Sequence, residues 1–221
     1  MSALIHPNQI ANTLCRFCAG SVCLAWESSD VGQLLRGLEA ARKKSSTALL
    51  SLGRLDLSGA KNSKHNHAMV TDAISRGCMS RLVNALRAAT NLTVLELGWN
   101  NIGKEGGAQV LAGALADCPS VTQLSLQFNG LGDSGTKALS SALTVCSQLQ
   151  MLQLSSNSIQ PTGATALGEA LPRCMNLRHL EIQRNAPGGR FVQLLHNCTA
   201  LTHLDLSRCG LDDENIAHCA G

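Results

Sequence analysis

Aromatic side chains are nearly missing from this chain, which has no tyrosine, two tryptophans and three phenylalanines among 221 residues. A core built on large rings is thereby excluded. Leu, Ala, Val and Ile must supply the buried volume, from a hydrophobic fraction of 44%. No uncharged apolar run is long enough to span a bilayer, so no membrane partner is expected. The start Met1-Ser-Ala-Leu-Ile-His lacks a basic region and a long apolar stretch, and no signal peptide is expected from it. Charge of one sign is also scarce: 18 Lys and Arg against 15 Asp and Glu leave a net +3. The basic residues are scattered, which gives no footprint for nucleic acid. There is no Gly-rich phosphate loop ending in Lys-Ser/Thr and no nucleophile elbow. No enzyme and no cofactor are expected.

Cysteine, by contrast, is plentiful. Ten cysteines would fit a disulfide framework in a small secreted domain. Four of them, Cys118, Cys146, Cys174 and Cys198, instead sit in register, each three residues before a recurring phrase. Parallel side chains on stacked layers point the same way, which suits a disulfide poorly. They read as small buried thiols in a reducing compartment, hence a cytoplasmic protein. Cys15, Cys18 and Cys23 invite a zinc reading, but a second closely spaced pair is absent. The loop pair His65 and His67 reads as solvated. No metal is expected.

The recurring phrase organises the chain. It runs Leu92-Thr-Val-Leu95-Glu-Leu97-Gly-Trp-Asn100-Asn-Ile102, with leucines at the first, fourth and sixth places, Asn at the ninth and an aliphatic at the eleventh. Copies start at Val121, Leu149, Leu177 and Leu201, and a weaker one at Leu52. The fourth-place leucines are Leu55, Leu95, Leu124, Leu152, Leu180 and Leu204, separated by 40, 29, 28, 28 and 24 residues. Alternation at the fourth and sixth places is that of a short strand with one buried face. Between phrases, Leu111-x-x-Ala114-Leu115, Leu139-x-x-Ala142-Leu143 and Leu167-x-x-Ala170-Leu171 put apolar residues on one helix face, as does Leu82-x-x-Ala85-Leu86 earlier. Pro161 fits a helix start. The ninth-place Asn100, Asn129, Asn157 and Asn185 are expected to satisfy backbone groups where the strand ends, a structural role.

The phrase resembles the leucine-rich repeat, L-x-x-L-x-L-x-x-N/C-x-L, and the length near 28 is similar to the ribonuclease-inhibitor-like subclass and to the repeat regions of NLR-type receptors. The resemblance implies an α/β fold: a right-handed βα solenoid, a horseshoe arc with parallel strands on the concave face and helices on the convex face. Residues 1–48 read as an N-terminal helical cap or a degenerate repeat. Apolar spacing from Pro7 to Trp26 is near helical, and Asp30-Val-Gly-Gln33 looks like a capped helix start. Residues 49–221 read as the array of about six strand phrases, with excess length in Lys61 to His67 and a truncated last repeat in which Asp213 to Ala220 forms a short helix or leaves the final layer exposed.

Function is then expected on the strand positions that leave the concave face. The third-place column is Arg54, Val94, Gln123, Met151, His179 and His203; the fifth is Asp56, Glu96, Ser125, Gln153, Glu181 and Asp205. The eighth is Gly59, Trp99, Phe128, Ser156, Arg184 and Arg208. Trp99 and Phe128 either anchor a protein partner or cover the sheet edge beneath the ascending loop. Arg184, Arg208, His179 and His203, with Arg178, surround Glu181 and Asp205; they form a patch for an acidic partner or, more simply, a solvated face with mutual salt bridges. Glu96 and Met151 complete the expected partner-binding set. Glu181 and Asp205 have no apolar pocket that would make either a general acid. The resemblance implies recognition of another protein over the concave face. The alternatives are a regulator of a small GTPase, similar to Ran GTPase-activating proteins, for which Arg54 is the only candidate arginine and no acidic tail is present, and a structural element that self-associates through an exposed C-terminal layer.

Overall fold

The computed structural model describes residues 89–212 without a break, together with 21–23, 54–57, 79, 82–84, 86 and 87. The expectations for Cys15 and Cys18, the helix after Asp30, the loop histidines and the segment from Asp213 lie outside the described residues.

Alternating leucines produce very short strands, three residues each. They are β1 (Ser21–Cys23), β2 (Arg54–Asp56), β3 (Val94–Glu96), β4 (Gln123–Ser125), β5 (Met151–Gln153), β6 (His179–Glu181) and β7 (His203–Asp205). All pair in parallel, in chain order, in one sheet. The register joins Leu55, Leu95, Leu124, Leu152, Leu180 and Leu204 into one row, one leucine per strand. Strand β1 was not expected: it lies where apolar spacing between Pro7 and Trp26 pointed to a helix. Its middle residue, Val22, pairs with Leu55, so the sheet begins one strand earlier than the leucine phrases do.

Four described helices return the chain from strand to strand: α1 (Gly107–Leu115), α2 (Gly132–Leu143), α3 (Pro161–Ala170) and α4 (Gly188–Leu195). Their buried faces carry the residues at three- and four-residue spacing, Leu111, Ala114 and Leu115 on α1 and Leu139, Ala142 and Leu143 on α2. Alanine in that pattern lets the helix approach the strand leucines closely. Pro161 opens α3, where its missing N–H has no intrahelical role to fill. Strand and helix leucines together make one continuous core. Burying each such leucine is worth about 2 kcal/mol relative to exposure.

Short strands need help at their ends, and asparagine supplies it. The Asn129 carboxamide donates to the Leu126 carbonyl of its own layer at 2.9 Å and to the Leu97 carbonyl of the layer before at 2.8 Å. Its oxygen accepts the amides of Asn100 at 3.0 Å and Ile102 at 3.2 Å. Asn157 and Asn185 repeat the arrangement, Asn185 accepting from Asn157 and Ile159 at 3.0 Å each. In the last described layer Cys209 takes this place: its thiol donates to the Ile182 carbonyl at 3.3 Å, and its sulfur receives backbone hydrogen bonds from Asn185 and Arg184. The change is matched one layer earlier. Pro187 stands at the eleventh place, where the pattern otherwise has an amide seeking an acceptor, and proline has none.

The register cysteines are more than apolar filling. Cys118 donates to the Leu86 carbonyl at 3.5 Å and Cys174 to the Leu143 carbonyl at 3.3 Å, in each case reaching the preceding layer. Both carbonyls already accept a backbone amide, Leu143 from Cys146 and Leu86 from Ala89, at 3.0 Å each. The thiols therefore add a second bond to these carbonyls, across the layer boundary. Cys118, Cys146 and Cys174 are buried, whereas Cys198 is only partly so, and all four are free.

Candidate functional site

The turn after each strand sets how the concave columns project. All five described eighth-place residues are left-handed: Trp99 at φ 65°, Phe128, Ser156 and Arg184 at 56°, and Arg208 at 58°. A side chain with a Cβ pays about 1 kcal/mol or more for that conformation. The turn delivers the following Asn into the interior, where its hydrogen bonds offset the strain. Each eighth-place amide also donates to the seventh-place carbonyl of the next strand, Trp99 to Gln127 at 2.8 Å, Phe128 to Ser155 and Ser156 to Gln183 at 2.9 Å, and Arg184 to Ser207 at 3.0 Å. The ladder thus continues past the strands and keeps the eighth column in register.

Trp99 and Phe128 stack face to face, with ring centroids 3.6 Å apart and planes 13° from parallel. Both are half-buried rather than sunk in the core. Beside them Gln127 lies across Gly98. A Cβ at Gly98 would come within 2.7 Å of the Gln127 carboxamide, so glycine lets that side chain lie flat here and a larger residue would push it aside. Ser125 also bonds the Gln127 side chain and is buried, although its place in the fifth column pointed to an exposed position. The seventh column, Gly98-Gln127-Ser155-Gln183-Ser207, alternates small and large residues. This column was missed from the sequence, and that alternation is the signal that would have pointed to the glutamine cover.

The charged residues divide into engaged and unengaged groups. Glu181 accepts from Gln153 at 3.0 Å and meets the His179 ring nitrogen at 2.9 Å. His179 stacks on His203, centroids 4.0 Å apart, and Met151 precedes them in the same column. Asp205 accepts the Ser207 amide at 2.9 Å. Hydrogen bonds from the Ser207 side chain and backbone hold its carboxyl below the usual range, with His203 adding to the effect. Glu96 pairs with Arg54 across the sheet. The expected salt bridges from Arg184 and Arg208 to Glu181 and Asp205 are not made: among the described residues both arginine side chains are exposed, and neither reaches a carboxylate. The simple picture of a mutually neutralised face therefore fails at the two guanidinium groups, because the acids hold histidine, glutamine and backbone instead.

Among the described residues no group of three or more His, Cys, Asp or Glu side chains converges on a metal position, and no helix is long and apolar enough to cross a membrane.

A family model described as Leucine Rich repeat matches residues 88–110, 117–140, 145–168 and 197–214. It passes over the phrase that ends in Pro187, which the structure nonetheless shows as β6. No curated protein matches the sequence. Among solved structures the chain is similar to the tropomodulin C-terminal domain of Caenorhabditis elegans, with a TM-score of 0.53 and 16% identity over 64% of this chain and 89% of that one. It is also similar to the leucine-rich repeat-containing protein LegL7 from Legionella pneumophila, with a TM-score of 0.52 and 17% identity over 98% of this chain and 75% of that one. Register, asparagine ladder, repeat model and neighbouring folds agree, and the chain is a leucine-rich repeat protein, an α/β solenoid arc with its parallel strands on the concave face.

Proposed function

We propose that this chain is a protein-binding module whose partner lies on the concave face and is anchored by the Trp99–Phe128 stack. The observation that carries this reading is the stack itself. A chain with 2% aromatic residues places two of them, half-exposed and in contact, on the outer surface of its sheet. Large rings in such a position are what interface hot spots are made from. The remaining expected contacts, Glu96, Met151, His179, Glu181, Arg184, His203, Asp205 and Arg208, share that face and give it a polar rim. The free thiols among the described residues suit a reducing, cytoplasmic setting. With a partner in hand, Trp99→Ala and Phe128→Ala should each weaken binding by about 2 kcal/mol or more, read by calorimetry. A partner whose affinity ignores both changes removes this assignment.

Self-association is a second reading, favoured by one observation. Leu204 is 39% exposed, while its counterpart Leu152 is 0% exposed, so the last described layer presents apolar surface. Light scattering that rises with concentration, and falls on Leu204→Glu, supports it; a monomer at all concentrations removes it. The GTPase-regulating reading rests on Arg54 alone, and that guanidinium is engaged with Glu96.

A further inference from the structure

We infer that the partner is an acidic protein segment that inserts one planar side chain between Phe128 and Arg184, over Ser156. This deepens the concave-face reading above and rests on it. The eighth column runs Trp99, Phe128, Ser156, Arg184, Arg208, one residue per strand at nearly constant φ. Neighbouring strands lie about 4.8 Å apart, so side chains in this column repeat at about that interval. At the first step the interval is filled by two rings in contact. At the next it is not, because Ser156 has no ring. Among the described residues the second face of Phe128 meets no other ring and no cation.

From Phe128 to Arg184 is two strand intervals, about 10 Å. A flat group sandwiched between two others needs roughly 7 Å between them, since stacked planes sit near van der Waals separation. The gap therefore admits one planar side chain. Phe128 offers it an aromatic face, and Arg184 a guanidinium that stacks on rings.

Charge selects the rest of the ligand. Arg184 and Arg208 stand next to one another in the column, exposed and without carboxylate partners among the described residues. The nearby acids Glu181 and Asp205 are held by His179, Gln153 and Ser207. Carboxylates flanking the planar residue would pair with the two guanidinium groups in the fork geometry arginine favours. Single-stranded nucleic acid also combines planar and anionic groups. Its backbone carries a phosphate at every step and would have to run past Glu96, Glu181 and Asp205 in the adjoining fifth column, whereas a peptide can confine its few carboxylates to Arg184 and Arg208; the protein ligand is favoured for that reason.

The test uses the full chain and labelled peptides, read by fluorescence anisotropy. One peptide carries a tyrosine flanked by Glu and Asp, a second has alanine for the tyrosine, a third has Lys for the acids, and an oligouridylate serves as the nucleic-acid arm. The acidic tyrosine peptide should bind best, the alanine peptide about threefold to tenfold more weakly, and the lysine peptide least. Ser156→Phe fills the gap with the chain's own ring and should weaken the tyrosine peptide by a similar factor. Trp99 and Phe128 show that the eighth place holds rings at this φ, and a urea melt checks that the variant folds. Arg184→Gln changes an exposed side chain and should weaken both acidic peptides and flatten their salt dependence. The inference is overturned if no peptide binds, if the lysine peptide or oligouridylate binds as tightly as the acidic one, or if a folded Ser156→Phe binds unchanged. The two readings fail separately. A protein partner lost on Trp99→Ala but indifferent to Ser156→Phe and Arg184→Gln keeps the concave face and removes the acidic, planar ligand. A partner indifferent to all of them removes both.

Discussion

The Asn129 carboxamide makes five hydrogen bonds that span two layers, and no smaller residue replaces them. Asn129→Ala would leave the Leu97 and Leu126 carbonyls and the Asn100 and Ile102 amides without that partner in a buried turn. The expected cost is about 3 kcal/mol or more, measured by urea denaturation. Cys209→Ala removes one thiol donor and a weak sulfur acceptor of the Asn185 and Arg184 backbones, and should cost clearly less. The pairing of Cys209 with Pro187 explains the difference: the last turn asks for fewer bonds because proline supplies no amide. Restoring Asn at position 209 without an amide at 187 should therefore recover only part of what Asn129 contributes. The asparagine role was legible beforehand, because a short carboxamide brings two N–H donors and a carbonyl acceptor to such a bend. The left-handed eighth place was not. Its residues are Trp, Phe, Ser and Arg, and none of these announces a positive φ as glycine would.

Strands of three residues and helices of eight to twelve are held less by their own hydrogen bonds than by their neighbours. The thiols show how that works. Burial, with Asp117 and Cys146 adding to it, pushes the Cys118 thiol from 9.0 up to about 11. Burial first, then Cys146 and Cys198, pushes Cys174 up to about 12. Because the folded values are raised, the contribution of these thiols is fully present below pH 9.0 and is lost as pH rises toward 11 and 12. Urea melts across that window should show the wild type losing more stability than a Cys118→Ala/Cys174→Ala variant; parallel curves would contradict the role given to the thiols. Element boundaries were legible where the phrase was complete. They were missed at β1, where the phrase keeps a leucine only at the sixth place, Leu24, has Ala19 and Val22 at the first and fourth and Glu27 at the ninth, and its apolar spacing mimics a helix. The unengaged state of Arg184 and Arg208 was hidden as well, since sequence gives which columns neighbour one another but not which partner each acid takes.

At the scale of the molecule, the described layers form a stack in which each touches the next. Arrays of this kind gain stability from nearest-neighbour interfaces, so a layer with two neighbours contributes more than one at an end. The fourth-place leucines express this directly: Leu124 is 1% exposed between two layers, and Leu204 is 39% exposed in the last described one. The concave columns, and with them the aromatic stack and the gap beside it, exist only if those leucines hold the strands in register. The most direct measurement is therefore a pair of urea melts. Leu124→Ala should cost about 2–5 kcal/mol and Leu204→Ala distinctly less. Equal destabilisation by the two changes would contradict the layered architecture.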